Sequence, residues 1–171
     1  MVKNLSLAAF VILFAIGLTY GLNNYFKSQR GEFFVLEKGQ PVPDFTFETT
    51  NGVSHKLSDF KDKKIIIHFW ASWCAPCVVE FPELITLANK QKDVVILGFS
   101  SDRTHQSIDR FFQTRNLDIP DNFLIIHDQK QKITEGKFNV FQLPESFILN
   151  SDLTLENHII GAYQNWPDLQ L

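Results

Sequence analysis

The feature that most restricts how this chain can fold is a change of hydrophobic period within one short stretch. The apolar run Ile65-Ile66-Ile67 leads into Phe69-Trp70-Ala71-Ser72-Trp73-Cys74-Ala75-Pro76-Cys77. Val78, Phe81, Ile85 and Ala88 then recur at helical spacing. An uninterrupted apolar run reads as a buried strand, and the later spacing reads as an amphipathic helix. The strand therefore hands over to the helix at the only two cysteines in the chain. The first turn of a helix carries unpaired N–H groups and partial positive charge, which stabilises a thiolate at Cys74. With two residues between them, one helical turn brings the sulfurs into bonding range. A reversible disulfide is expected, with Cys74 exposed and attacking, and Cys77 more buried and resolving. Two structural thiols or half of a zinc site are the alternatives. A zinc site needs three or four protein ligands, and no second cysteine pair exists.

The length of 171 residues suits one domain with a short extension. The net charge of −3 and the lack of a basic patch argue against nucleic acid as a partner. Most of the seventeen Phe residues are expected in the core. Near the N-terminus, Leu5 to Leu22 is a run without charge, preceded by Lys3. As a helix its 18 residues would be about 27 Å long, close to the ~30 Å hydrocarbon core of a bilayer. Ala15-Ile16-Gly17 is a poor signal-cleavage site because it lies inside the apolar run. The stretch 1–22 therefore reads as an uncleaved signal anchor, 23–38 as a linker, and 39–171 as the folded domain.

Within that domain, Phe45 and Phe47 alternate with polar neighbours. Asn51-Gly52 marks a hairpin turn whose return strand is His55-Lys56-Leu57. Lys64–Trp70, Val94–Ser100 and Asn122–His127 read as buried strands. Thr104–Asn116 reads as an amphipathic helix, and Asp128–Phe138 as a polar helix. Pro82 is expected to kink the helix after the cysteines. Glu145–Asn150 and Glu156–Gly161 read as an antiparallel pair. Alternating strands and helices followed by a hairpin imply an α/β fold with a mixed central sheet flanked by helices and an N-terminal hairpin extension.

The stretch Phe69–Cys77 with Glu80-Phe81-Pro82 resembles the thioredoxin superfamily, and within it the membrane-anchored TlpA/ResA/DsbE group of bacterial thiol-disulfide oxidoreductases. The resemblance runs from about Gly39 to about Gly161. It implies a thioredoxin-like fold, an N-terminal transmembrane helix, a single-pass inner-membrane location with the domain facing the periplasm, and no cofactor or metal. It also implies that Pro144, in Leu143-Pro144-Glu145-Ser146, is a cis-proline facing the disulfide. The backbone of Leu143 would then be open to an extended substrate strand. Glu80, one helical turn beyond Cys77, is the residue the resemblance implies for handling the cysteines' protons. Trp73 is expected to flank the site as an apolar recognition surface. Glu145 matches the cytochrome c maturation subgroup, which reduces apocytochrome c cysteine pairs. The chain departs from that subgroup at Phe138-Asn139-Val140-Phe141-Gln142-Leu143, which lacks glycine, and at Asn150-Ser151-Asp152-Leu153.

The function expected is protein-disulfide reduction by dithiol–disulfide exchange, recycled by a membrane electron donor. A disulfide oxidase or isomerase is the neighbouring reading, since similar scaffolds span about 150 mV in potential. A thioredoxin-like copper chaperone is disfavoured because the resembling ones place three residues between the cysteines. A peroxidase would carry Thr or Ser where Ala71 stands. The five histidines are scattered, and His68, on a buried strand, is expected to pack in the core or meet a backbone acceptor.

Overall fold

The computed structural model describes residues 2–29, 33–169 and 171, with side chains described for 9–24, 33–169 and 171. The chain divides into two compact units, Met1–Glu32 and Phe33–Leu171. The first is one helix, α1 (Val2–Gln29), whose described apolar side chains, Phe10 to Leu22, are exposed on all sides. Among the described residues no helix is long and apolar enough to cross a membrane. The transmembrane helix expected from Leu5–Leu22 is therefore not found as such. Side chains 9–24 cover about 24 Å of helix, short of a ~30 Å bilayer core, and 5–8 lie outside the described side chains. Helical backbone also continues into the stretch expected as linker, to Gln29.

The second unit begins with an extended segment. Phe34 donates its N–H to the Lys137 carbonyl at 2.6 Å, and its ring meets Phe45 and Phe138. The hairpin β1 (Thr46–Glu48) and β2 (Ser54–Lys56) turns at Gly52, whose φ of 83° favours glycine. Leu57 does not extend β2 as expected. It opens a 3-10 turn, Leu57–Phe60, in which the Asp59 carboxylate accepts the Lys56 N–H. The main sheet holds β3 (Lys64–Trp70), β4 (Val94–Ser100), β5 (Phe123–His127), β6 (Glu145–Leu149) and β7 (Leu155–Ile160), in the order β5-β4-β3-β6-β7. β4 is parallel to β3 and β5, whereas β6 is antiparallel to β3 and β7. α2 (Ala75–Lys90) and α3 (His105–Arg115) make the two parallel crossovers, and α2 runs unbroken through Pro82.

The two faces of β3 divide the core. Ile65, Ile67 and Phe69 join Phe45, Phe47, Phe99, Phe138 and Phe147 on one side. Ile66 and Trp70 join Phe81, Leu84, Phe111 and Trp166 on the side that α2 covers. Alternation along a strand puts His68 on this second face. Burial on both faces explains why the central strands read as continuous apolar runs.

The polar helix expected over Asp128–Phe138 is absent. Residues 129–131 form a 3-10 turn in which Lys130 and Gln131 have φ of 61° and 53°, a conformation that ends any right-handed helix. The Asp128 carboxylate then starts a new turn by accepting the N–H groups of Ile133 and Thr134. At the C-terminus, Trp166 is fully buried at the start of a 3-10 turn, Trp166–Asp168, packed on α2.

Candidate active site

Cys74 caps α2. Its backbone is extended (φ −82°, ψ 103°), and its Sγ accepts the Cys77 N–H at 3.3 Å. Sulfur here takes the place of the side-chain oxygen that usually caps a helix. Pro76 stands in the first turn, where its missing N–H would have had no helical partner. The two cysteines are joined as a disulfide, with Cα atoms 5.3 Å apart.

Cys74 was expected to stand exposed, but it is 4% exposed and Cys77 is 0% exposed. Neighbouring side chains account for the difference. Cys74 lies in a cleft of about 420 Å³ walled by Trp73 and Pro76 on one side and by Val140, Phe141 and Leu143 on the other. Cys77 does not line that cleft. Trp73 and Phe141 are 67% and 72% exposed, so two open aromatic rings stand on a rim that Gln131 and Gln142 complete. The loop before Cys74 is fastened by Asp102, whose carboxylate accepts the Ser72 N–H at 2.9 Å and the Ser72 hydroxyl at 2.7 Å. The Ser101 N–H adds a bond to the Trp70 carbonyl at 2.9 Å.

Glu80 is buried on α2, one turn beyond Cys77. Its Oε2 accepts the Tyr163 N–H at 3.0 Å and the Trp166 indole N–H at 3.1 Å. Its Oε1 lies 3.7 Å from His68 Nε2. Neither of these two atoms has a hydrogen-bond partner among the described residues. Burial pushes the Glu80 carboxyl above its ordinary range. The Trp166 and Tyr163 donors oppose that rise, and the charge of Glu83 adds to it. Burial pushes the His68 imidazole down to about 3. His68 Nδ1 lies 2.9 Å from Ser146 Oγ on β6. Its partner is thus a side chain, where a backbone acceptor or plain packing was expected.

The structure brings Trp73, Cys74 and Leu143 together in one cleft. The Leu143–Pro144 peptide is cis. Glu145 is not in the cleft lining. It is buried on β6, and its Oε1 is 2.6 Å from His158 Nε2. Three features were missed from sequence: Phe141 on the rim, His68 beside Glu80, and the C-terminal turn over Glu80. The position of His68, in step with Ile66 and Trp70, was the one available signal.

Residues 38–158 match the AhpC/TSA family. The chain is 31% identical over 160 residues to the thioredoxin-like protein YneN of Bacillus subtilis, covering 91% of this chain and 89% of that protein. It is 31% identical over 166 residues to the thiol-disulfide oxidoreductase ResA of Bacillus thuringiensis, covering 94% and 91%. Among solved structures, a Chlorobium tepidum protein assigned as the thiol:disulfide interchange protein DsbE superposes with a TM-score of 0.66 at 27% identity, covering 75% of this chain and 89% of that one. With its disulfide capping a helix and these relatives along most of its length, the chain belongs to the AhpC/TSA family, as a thioredoxin-like thiol-disulfide oxidoreductase of the ResA/DsbE kind.

Proposed function

We propose that this oxidoreductase works as a membrane-anchored protein-disulfide reductase facing the periplasm. One observation carries the exchange chemistry: of the two bonded sulfurs at the mouth of α2, only Cys74 lines a cleft open to solvent, and the direction and location rest on the likeness to the ResA and DsbE proteins. In the reduced form, the Cys74 thiolate attacks one sulfur of a substrate disulfide. The substrate's other sulfur leaves as a thiolate, and a mixed disulfide joins Cys74 to the substrate. Cys77 then gives its proton to the Glu80 carboxylate and attacks Cys74 Sγ. The second substrate thiolate departs, and the internal disulfide closes. Two electrons pass from the cysteine pair to the substrate. The two product thiolates take up protons, one by way of Glu80 and one from water.

In this reading Trp73 and Leu143 hold the substrate chain beside Cys74, and Pro144 keeps the backbone of Leu143 open to it. The proposed substrate role of Glu145 is indirect, through the start of β6, which follows Pro144 and lies between β3 and β7. The substrates are proteins bearing disulfides, with apocytochrome c the specific candidate raised by Pro144-Glu145-Ser146. A dithiol donor in the membrane returns the pair to its reduced form. The anchor is α1, on the support of the uncharged run Leu5–Leu22 and of the exposed apolar side chains on all sides of its described stretch, Phe10 to Leu22. Alkaline carbonate extraction tests it: an anchored chain stays with the membrane pellet, and release into the wash refutes the anchor.

Trapping tests the reaction. The full chain carrying Cys77→Ser should accumulate mixed disulfides between Cys74 and its substrates, dissolved by a dithiol. Apocytochromes among the trapped proteins support the maturation role, and their consistent absence refutes it. A reduction potential near that of thioredoxin, about −270 mV, supports a reductase, whereas one near −120 mV supports an oxidase.

A further inference from the structure

His68 and Glu80 face each other, each with one atom that has no hydrogen-bond partner among the described residues, and both side chains are buried from the surface. His68 is 0% exposed and Glu80 4%. Every other polar atom of the pair is held: Nδ1 by the Ser146 hydroxyl, and Oε2 by Tyr163 and Trp166. Two orphaned atoms 3.7 Å apart on opposite elements, β3 and α2, need a proton between them.

That proton has two balanced arrangements. In one, Glu80 is protonated and its Oε1–H donates to Nε2, while Nδ1–H donates to Ser146 Oγ. In the other, Glu80 is ionised and Nε2–H donates to Oε1, while the Ser146 hydroxyl donates to Nδ1. From the first state to the second, Oε1–H passes to Nε2 while Nδ1–H passes to Ser146 Oγ, which releases its own hydrogen in turn, so the states differ by one proton and the imidazole is neutral in both.

We propose that His68 is a positioning residue that lets Glu80 take up and release one proton with no buried atom left unpaired, the imidazole switching tautomer as the carboxyl changes state. This rests on Glu80 serving Cys77 as above. The placement suits that service, because helical side chains lean toward the N-terminal turn, which here carries Cys77.

The groups packed around the pair agree with a neutral imidazole. From α2, Glu83 is the neighbouring carboxylate, and its Oε2 accepts the Asn165 and Trp166 N–H groups at 3.1 and 3.3 Å. From β6 comes Ser146, uncharged. From the C-terminal turn come Tyr163 and the Trp166 indole, and from the core the edges of Phe81 and Trp166. Burial drives both groups toward their neutral forms, with Glu80 raised and His68 lowered. The C-terminal turn thereby acquires a role as the roof that keeps water from Glu80.

The test uses the full chain in detergent, labelled with 15N-histidine, with His68→Asn assigning the resonance. Across pH, the His68 nitrogens should exchange donor and acceptor character at the midpoint where the Glu80 acid carbonyl band disappears from the infrared spectrum, with no imidazolium formed. A single tautomer held while Glu80 titrates, or an imidazolium at neutral pH, overturns the proposal. In kinetics, His68→Leu should slow Cys77 resolution about tenfold at neutral pH, less than the ~100-fold or more expected for loss of the acid–base group itself, and displace its pH profile. His68→Asn, which keeps a donor and an acceptor, should restore most of the rate. If His68→Leu leaves the profile unmoved, the positioning role is refuted. If Glu80→Gln leaves it unmoved while the wild-type tautomer still switches, the dyad stands and the proton-carrier reading of Glu80 falls.

Discussion

Asp102 and Asp128 are buried carboxylates like Glu80, and the contrast among the three separates a structural acid from a chemical one. Asp102 accepts the N–H and hydroxyl of Ser72 and the hydroxyl of Ser100. Asp128 accepts the Ile133 and Thr134 N–H groups and the Thr134 hydroxyl. Both oxygens of each aspartate are occupied, so each locks backbone: the loop before Cys74 in one case, the start of a turn in the other. Glu80 has one oxygen held by the C-terminal turn and one facing only His68. A carboxylate with both oxygens committed to donors fixes geometry, whereas one with an open oxygen can trade a proton. Proximity to the cysteines alone does not distinguish them, since Asp102 grips Ser72, two residues from Cys74.

The contrast can be broken by substitution. The largest effect is expected for Asp128→Ala, which strands two N–H groups and a hydroxyl. At about 1–3 kcal/mol for each unpaired group, a loss of roughly 4–5 kcal/mol should appear in denaturant unfolding. A loss below about 1 kcal/mol would show that saturation is not what makes Asp128 structural.

Next comes acid sensitivity. The folded state holds His68 near 3 against an ordinary 6.5, so the unfolded chain binds the extra proton first. This contribution is complete above pH 6.5 and fades as pH falls toward 3, amounting to about 4 kcal/mol there. Comparing wild type with His68→Asn by unfolding at several pH values isolates it. Parallel stability curves would contradict the buried neutral imidazole.

Glu80 has the opposite sign. Its folded carboxyl is raised, so its contribution is present below the ordinary carboxylate range and is lost as pH rises through the folded value. Glu80→Gln should therefore gain stability relative to wild type as pH rises through that window. A relative loss would place Glu80 with the saturated aspartates.

The smallest effect concerns the rim. Phe141→Ser removes an exposed ring from the cleft wall and should leave the unfolding midpoint unchanged. It should lower kcat/KM for protein substrates about fivefold, equivalent to roughly 1 kcal/mol of apolar contact. Equal activity on protein and small disulfides, before and after the change, would remove Phe141 from recognition.

What was legible in the sequence follows the same division between periodic and non-periodic signals. β3, β4, β5 and α2 announced themselves because apolar residues at period one or 3.6 are summed over many positions. Cys74 and Cys77 were found because that pattern changes at them. Asp128–Phe138 misled because its polar residues are good helix formers, and nothing local foretold the left-handed backbone at Lys130 and Gln131. Phe141 is one aromatic residue in a loop and belongs to no pattern. The turn at Tyr163–Trp166 is held by Glu80 and Glu83, some eighty residues away, so its role is not local information. His68 was readable in part: strand parity aimed it at α2, but its partner depended on where along α2 a carboxylate would fall.

The most direct test is a thiol count on the full chain through one redox cycle. The oxidised protein is treated with a dithiol, freed of it, and offered a protein substrate bearing a disulfide, with alkylation and mass measurement at each stage. The account predicts alkylation at Cys74 and Cys77 after reduction, its loss as substrate thiols appear, and its return on a second reduction. A Cys74–Cys77 bond that resists the dithiol, or reduced cysteines that persist before the substrate disulfide, would contradict it.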